Sequence, residues 1–251
     1  MAGADEPFER KRDRIRRVAM RAVPVPLSVR TSDLPKRAAS AAVMMALTAG
    51  AVLAGGIVLD GFIVLVALIC IGEFVRLVFR AAHLVSTRIL GCLFGIAYIA
   101  YAASLLIQID NIRLLSLIVG AVICVDTFAY FFGRAIGGPK IAPQISPSKT
   151  WAGLLGGVFG ATLALIAYFM VAFGEWEFSM LALVLPAALI AVLAQAGDFF
   201  ESWLKRKASM KDSSRLIPGH GGVFDRIDGL LPVVILVGTV VVQVYPHWLN
   251  H

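Results

Sequence analysis

Charged residues are scarce in this chain. Asp, Glu, Lys and Arg make up 16% of its 251 residues, whereas a soluble domain of this size carries about 25%. The three cysteines, Cys70, Cys92 and Cys124, lie singly in apolar runs, so neither a disulfide framework nor a cysteine metal site is expected. The four scattered histidines argue against a zinc cluster. These shortages argue against an ordinary soluble domain and against a zinc protein.

Apolar residues form 59% of the chain, with a mean hydropathy of +0.84. They are arranged in blocks, several of which reach the ~20 residues that span a bilayer. No block alternates apolar and polar residues as a barrel strand does, so helices are predicted. Seven runs are found, at 38–58, 61–79, 89–108, 112–132, 151–173, 180–199 and 229–246. The predicted fold class is all-α, a polytopic integral membrane helical bundle of about seven transmembrane helices.

The distribution of basic residues predicts the orientation of the bundle. With the N-terminus inside, the inner segments are 1–37, 76–88, 134–149 and 200–228, and they hold 22 of the 23 Lys and Arg residues. This asymmetry follows the positive-inside rule. Residues 1–37 are interpreted as a basic cytoplasmic tail, either solvated or lying on anionic headgroups through "ERKRDRIRR", and residues 38–246 as the transmembrane domain.

Glycines within the runs allow helices to approach closely. They are Gly50, Gly55, Gly56, Gly95, Gly156, Gly157 and Gly160. The Gly-rich first and fifth runs can pack within the chain or against a second copy, so a homodimer stays open.

Ionisable groups at membrane depth are expected to have a function or a partner, because inserting one costs at least ~2.5–3.5 kcal/mol. In "DTFAYFFGR", Asp126, Tyr130 and Arg134 are four residues apart and share one helix face. The spacing suits the lining of a functional site and equally an internal Asp–Arg pair that holds the bundle together.

A second polar stripe leads from the membrane into segment 200–228. In "QAGDFFESWLKRK", Gln195, Asp198, Ser202 and Lys205 fall on one helix face. A snorkelling helix end explains the basic residues but not Gln195 and Asp198.

The stretch "PGHGGVFDRIDG" is the least suited to a bilayer. Asp225 and Asp228 are three apart, so on a helical turn both carboxylates face one way. They are either acids at a helix N-terminus or, with Asp198, oxygen ligands for a cation such as Mg²⁺. The glycines expose N–H groups that could cradle phosphate. Positive charge for a polyanion comes from Lys205, Arg206, Lys211, Arg215 and Arg226.

A weaker motif, "ISPSKTWAG", precedes the fifth run. Ser146, Ser148, Lys149 and Thr150 lie where a helix N-terminus favours anions, or they form an ordinary cap beside a lysine. All these elements together predict one cytoplasmic-face site with acids for a metal, cations, Gly-rich backbone and access to lipid. Phosphoryl or nucleotidyl transfer onto a lipid is the reaction class that needs all four.

The segment "SWLKRKASMKDSSRLIPGHGGVFDRID" closely resembles the signature of the phosphatidate cytidylyltransferases, or CDP-diacylglycerol synthases. The matching residues are Ser202, Lys205, Arg206, Lys211, Asp212, Pro218, His220, Gly221, Gly222, Asp225, Arg226 and Asp228. The upstream "DTFAYFFGR", "SPSKTW" and "QAGDFFES" resemble the family as well, so the likeness covers residues 34–245. Ala152 departs from it, since the family has Glu after "KTW".

The resemblance implies that CTP and phosphatidic acid react to CDP-diacylglycerol and pyrophosphate with Mg²⁺, a second cation being left open. It implies that the catalytic segment is 195–229, on the cytoplasmic face of a bacterial-type inner membrane, without a nucleic-acid partner. It implies the metal ligands Asp198 and Asp225, with Asp228 supporting. Catalytic roles are implied for Lys205, Arg206, Lys211, His220 and Arg226. Substrate contacts are implied for Ser146, Lys149, Thr150, Asp126, Arg134, Ser202, Gly221 and Gly222.

Two alternatives stay open beside this reaction. A CTP-dependent lipid kinase would transfer the γ-phosphoryl group and release CDP. A transporter would use Asp126 and Asp198 to bind a coupling ion, but it gives segment 200–228 no role.

Overall fold

The apolar runs are helices in the computed structural model, which describes residues 34–109, 111–173 and 180–244. The long helices are α1 (Leu34–Ala54), α2 (Gly56–Ala81), α3 (Val85–Gln108), α4 (Ile112–Ala135), α5 (Trp151–Phe173) and α6 (Met180–Lys207). All six are long and apolar enough to cross a membrane. Two more follow, α7 (Phe224–Ile227) and α8 (Leu230–Thr239), and α8 continues into a π-helical turn, Val240–Val244.

The predicted helical membrane bundle is confirmed, with two differences. The seventh predicted run is shorter than the others as far as it is described, since its apolar helix covers Leu230–Val244. A hairpin that the hydropathy did not predict lies between α4 and α5. Its strands, β1 (Lys140–Ala142) and β2 (Ser146–Thr150), pair antiparallel. Prolines at 143 and 147 keep this segment from continuing either helix.

The first helix begins at Leu34, four residues before the predicted boundary of the apolar domain. Residues 1–33 of the predicted basic tail lie outside the described residues. The division into tail and transmembrane domain therefore stays a prediction.

Helices α4 and α5 pack along a face of glycines. A methyl group added to Gly156 would lie 2.6 Å from the carbonyl oxygen of Phe128, and one added to Gly160 would lie 2.5 Å from that of Cys124. Only glycine permits such backbone contact. The glycines of the fifth run are thus used within the chain. The homodimer stays a prediction.

The bundle has an apolar exterior as well as an apolar core. Leu53, Ile57, Val171 and Leu181 are each at least 80% exposed, which a soluble surface rarely tolerates in such number but which lipid favours. The core contains, among others, Phe74, Leu77, Ile99, Leu105, Ile118, Val125, Phe224, Val233 and Val234. The polar segment between α6 and α8 lies at one end of this bundle.

Candidate functional site

Two glycines bring α6 against the segment that joins α7 to α8. A methyl group on Gly197 would overlap the backbone carbonyl oxygen of Asp228, and one on Gly229 would lie 3.0 Å from Oδ1 of Asp198. The absence of a side chain at both positions lets the two backbones touch. Asp198 and Asp228, far apart in sequence, are neighbours as a result.

Two lysines neutralise the carboxylates that gather here. Nζ of Lys205 lies 2.6 Å from Oε2 of Glu201 and 3.1 Å from Oδ1 of Asp225. Lys149, projecting from β2, forms an ion pair with Asp198. All these side chains are largely buried, so the pairs are screened little by solvent. We refer to the carboxylates as the acid cluster: Asp198, Glu201, Asp225 and Asp228.

Asp225 is held in its ionised form. Burial raises the pKa of its carboxyl, but a hydrogen bond shared with Glu201, the N–H groups of Gly222 and Ser213 and the ammonium of Lys205 lower the pKa to about 2. Gly222 N–H donates to Oδ2 at 2.8 Å, and Ser213 N–H donates to both carboxylate oxygens. Asp225 therefore orders its loop as well as adding charge to the cluster.

Asp228 and Lys149 are both shifted toward their neutral forms. Burial raises the pKa of the Asp228 carboxyl, against the lowering effect of Glu201, the Gly229 N–H, Lys205 and Lys149. Burial lowers the pKa of the Lys149 ammonium, although nearby acids including Asp228 and Glu201 raise it. In both groups the effect of burial outweighs that of the opposite charges nearby.

Glu201 is the member of the cluster that the sequence reasoning missed. Its side chain is 4% exposed, and its Oε1 is buried without a hydrogen-bond partner in the described part of the chain. The same is true of the amide oxygen of Gln195, on the same helix. A signal was available in the spacing, because Glu201 lies four residues before Lys205 on a helix whose polar residues were already singled out.

The cluster has the donor chemistry of a magnesium site but not a ready-made coordination shell. Carboxylate oxygens are the ligands that Mg²⁺ prefers, and the unpartnered oxygens on α6 are acceptors that a cation would satisfy. Among the described residues, however, no group of three or more His, Cys, Asp or Glu side chains is arranged to hold a metal ion. The ammonium groups of Lys149 and Lys205 instead supply the positive charge beside these carboxylates. Metal binding would require them to move to other partners.

Glu73, a buried acid in α2, holds the polar segment from the other side. Its carboxylate accepts hydrogen bonds from the hydroxyls of Ser213 and Ser214 and from the N–H groups of Val223 and Phe224, the last at 2.7 Å. Glu73 thereby binds both the loop after α6 and the start of α7. The sequence reasoning missed it, although a lone acid inside an apolar run is itself a signal of function.

The glycine turn uses its N–H groups internally. Gly221 N–H donates to the carbonyl of Ile217 and Gly222 N–H donates to Asp225. Gly221 has φ +87°, and a methyl group there would lie 2.5 Å from Oδ2 of Asp225. In this conformation the two glycines shape the loop around Asp225, and their N–H groups do not point at a free phosphate position.

His220 is fixed by the first helix. Its Nδ1 lies 2.8 Å from Oγ of Ser40, and the same hydroxyl lies 2.9 Å from the carbonyl oxygen of Pro218. Both contacts are satisfied when Ser40 donates to Pro218 and accepts from Nδ1–H, which leaves Nε2 as an acceptor. Arg226 donates to the His220 carbonyl at 2.7 Å.

The three polar residues of α4, Asp126, Tyr130 and Arg134, lie in two different environments. Arg134 donates to the hydroxyl of Tyr130 at 3.0 Å and lies over the same ring. Asp126 interacts electrostatically with Lys149 and Asp228 instead. The internal Asp126–Arg134 pair, left open above, is therefore not formed, and Asp126 belongs to the surroundings of the acid cluster.

The hairpin separates the residues of "SPSKT". Thr150 accepts the N–H of Gly153 at 3.0 Å and thus caps α5, while Ser146 is buried opposite Ala142. Lys149 alone reaches the acid cluster. The ordinary cap explains Thr150, and the functional interpretation stays with Lys149.

Three other implied site residues are neighbours of the cluster or of its loop along the chain. Ser202 is half-buried on α6, and Arg206 and Lys211 are exposed. Within the described residues, neither of these cations forms an ion pair.

Comparison with known proteins identifies a family and several relatives. Residues 81–244 match the model of the cytidylyltransferase family, a range that includes β2, α6 and the whole acid cluster. A protein of Rickettsia bellii named phosphatidate cytidylyltransferase is 36% identical over 178 residues, which is 68% of this chain and 75% of that protein. One of Rickettsia typhi with the same name is 38% identical over 159 residues, 59% of this chain and 69% of its own.

A phosphatidate cytidylyltransferase of Brucella abortus (strain 2308) is more similar over a shorter stretch. It is 50% identical over 113 residues, which is 44% of this chain and 40% of that protein. The chain thus spans less than half the length of this relative. The extent of the family match and the similarity to the Rickettsia proteins nevertheless lead to one assignment: the chain belongs to the cytidylyltransferase family.

Proposed function

We propose that this protein transfers the cytidylyl group of CTP to phosphatidic acid, giving CDP-diacylglycerol and pyrophosphate in phospholipid biosynthesis. The observation that carries the proposal is the acid cluster with Lys149 and Lys205, where a bundle of apolar helices meets a polar segment. A lipid phosphate and a nucleotide can both reach such a position. The names of the relatives support the same reaction.

We further propose that the protein is a multi-pass protein of a bacterial-type inner membrane, with its N-terminus and the acid cluster in the cytoplasm. The support is the basic-residue asymmetry, since Arg113 is the single Lys or Arg that this orientation leaves outside. CTP would then reach the cluster directly from the cytosol.

Magnesium is the proposed cofactor. Asp198 and Asp225 would hold it, with Asp228 supporting and Glu201 offering its unpartnered oxygen. When bound, Mg²⁺ would neutralise phosphate charge and polarise the α-phosphoryl group. Lys149 and Lys205 would exchange their carboxylates for phosphate oxygens as metal and nucleotide enter.

The bond changes need no covalent enzyme intermediate. An oxygen of the lipid phosphate attacks the α-phosphorus of CTP, and a P–O bond forms. The bond from the α-phosphorus to the oxygen bridging to the β-phosphate breaks, and its electron pair leaves with pyrophosphate. Catalysis then rests on positioning and charge neutralisation.

The chain's own residues supply this positioning. Lys149 and Lys205 would bind phosphate inside the cluster, and the exposed Arg206 and Lys211 would bind it at the rim. Arg226, tied to the His220 carbonyl, would orient the turn. Ser146, Thr150 and the two glycines would act by shaping the walls.

Labelled CTP tests the reaction. Purified protein in detergent, given phosphatidic acid, Mg²⁺ and CTP labelled in the cytidine, should move the label into the organic phase, and omission of Mg²⁺ should prevent this. Label that stays aqueous while CDP accumulates would contradict the proposal in favour of a lipid kinase. No turnover of CTP at all would contradict both enzyme functions.

A further inference from the structure

A pocket lies outside the acid cluster, between α2 and the loop after α6. It has a volume of about 450 Å³ and is lined by apolar residues, including Ile69 and Leu216, and by Glu73, Arg76 and Arg215. None of these residues belongs to the acid cluster. The pocket therefore needs its own explanation.

The pocket carries net positive charge. Glu73 is saturated by four donors from the loop and from α7, so its carboxylate is not available to the arginines. Within the described residues, Arg76 and Arg215 form no ion pair, and both are exposed. Two guanidinium groups at one pocket are suited to bind a phosphate, to which each can donate two hydrogen bonds.

The walls of the pocket favour a lipid over a free anion. Ile69 belongs to an apolar helix, and Leu216 is 57% exposed. An acyl chain can lie against these surfaces while its phosphate contacts the arginines. Arg76 lies near the end of α2 that the proposed orientation places at the cytoplasmic headgroups.

We propose that this pocket binds the phosphate headgroup of a phospholipid, and that it holds phosphatidic acid for the reaction; the second part rests on the proposed function. The pocket and the acid cluster share one short segment. Ser213 donates its N–H to Asp225 and its hydroxyl to Glu73, and Ser214 lines the pocket. A headgroup held by Arg215 is therefore next to the loop that orders Asp225.

A binding experiment tests the pocket independently of catalysis. The purified full chain is titrated with fluorescent phosphatidic acid in phosphatidylcholine mixed micelles, as wild type, Arg76→Gln and Arg215→Gln. Affinity should fall at least about tenfold in each variant, the effect of losing one charge-assisted hydrogen bond. Arg80→Gln, an exposed cation on the same helix outside the pocket, is the matched control. Arg215→Lys should recover part of the affinity.

Competition distinguishes the lipid from water-soluble phosphates. Excess CTP or inorganic phosphate should leave the lipid bound in the wild type. Displacement of the lipid by CTP, or unchanged lipid affinity in both Gln variants with unaltered elution volumes, would overturn the assignment.

Kinetics then connects the pocket to turnover. If the wild type is active, Arg76→Gln and Arg215→Gln should each have a KM for phosphatidic acid at least about tenfold above that of the wild type. Their KM for CTP should stay within about twofold of the wild-type value. A rise in the KM for CTP instead would overturn the lipid assignment. If the wild type transfers no cytidylyl group, the proposed function fails while the binding experiment still decides the pocket.

Discussion

The ion pairs of Lys149 and Lys205 determine what a substitution in the acid cluster leaves uncompensated. Lys205 is shared by Glu201 and Asp225, and Lys149 is paired with Asp198. Removing one partner of a buried pair leaves an uncompensated charge. Asp225 is also tied to backbone N–H groups, so its replacement disturbs the loop and the charge together. Asp198 has no such backbone role among the described contacts and is the cleaner probe of chemistry.

We expect Asp198→Asn to lower cytidylyl transfer by about 10²–10³-fold or more, because an oriented charge at a transition state is worth that much. The elution volume in detergent should be unchanged. Asp60→Asn is the matched control and should retain activity. Asp60 lies near the start of α2, toward the opposite end of that helix from Glu73. Asp198→Asn activity within a few-fold of wild type would remove Asp198 from the metal site.

At the scale of elements, the site depends on contacts that hold helices and loop in register. Glu73 on α2 binds the loop and the first turn of α7, and Gly197 on α6 touches the backbone before α8. Neither residue needs to contact substrate. Both decide whether the carboxylates converge.

Glu73→Gln should destabilise the polar segment. The amide keeps one acceptor oxygen but presents an NH₂ group to hydroxyl and N–H donors, and a buried group left unsatisfied costs about 1–3 kcal/mol. The expected readouts are a lower thermal midpoint in detergent and faster proteolysis between residues 208 and 223. Equal midpoints and equal cleavage would show that the four hydrogen bonds are dispensable.

Gly197→Ala should separate α6 from the segment before α8. The added methyl would meet a backbone carbonyl that cannot rotate away, and such overpacking typically costs about 1–3 kcal/mol. Activity should fall with the thermal midpoint because Asp198 and Asp228 move apart. Gly61→Ala, whose methyl would meet no atom within 4 Å, is the control. A normal midpoint in Gly197→Ala would contradict the close contact.

For the whole molecule, the positive-inside rule predicts that the end of the bundle where basic residues cluster faces the cytoplasm. This orientation is open to a direct test. Gln144→Cys lies in the exposed turn of the hairpin, and Ile112→Cys at the exposed start of α4. An impermeant maleimide should label Ile112→Cys in spheroplasts and Gln144→Cys only in inverted vesicles. Labelling of the unsubstituted protein, whose native cysteines lie in helices, provides the background. The opposite pattern would reverse the orientation.

The sequence alone determined the helical membrane class, because apolar runs of bilayer length have few other solutions in lipid. It also determined the candidate acids Asp198, Asp225 and Asp228, because charged groups in such a chain stand out against their surroundings. Hairpin β1–β2 escaped the hydropathy pattern because its strands are only three and five residues long and do not alternate apolar and polar residues.

Only the tertiary structure decided the partners of each group. It shows that Lys149 pairs with Asp198 and that Arg134 donates to Tyr130. It also shows that Glu201 and Glu73 belong to the site. For Lys149 and Glu73 the physical reason is that their contacts join different elements of the chain. Their distances follow from close packing at glycines such as Gly197, which no local pattern along the chain records.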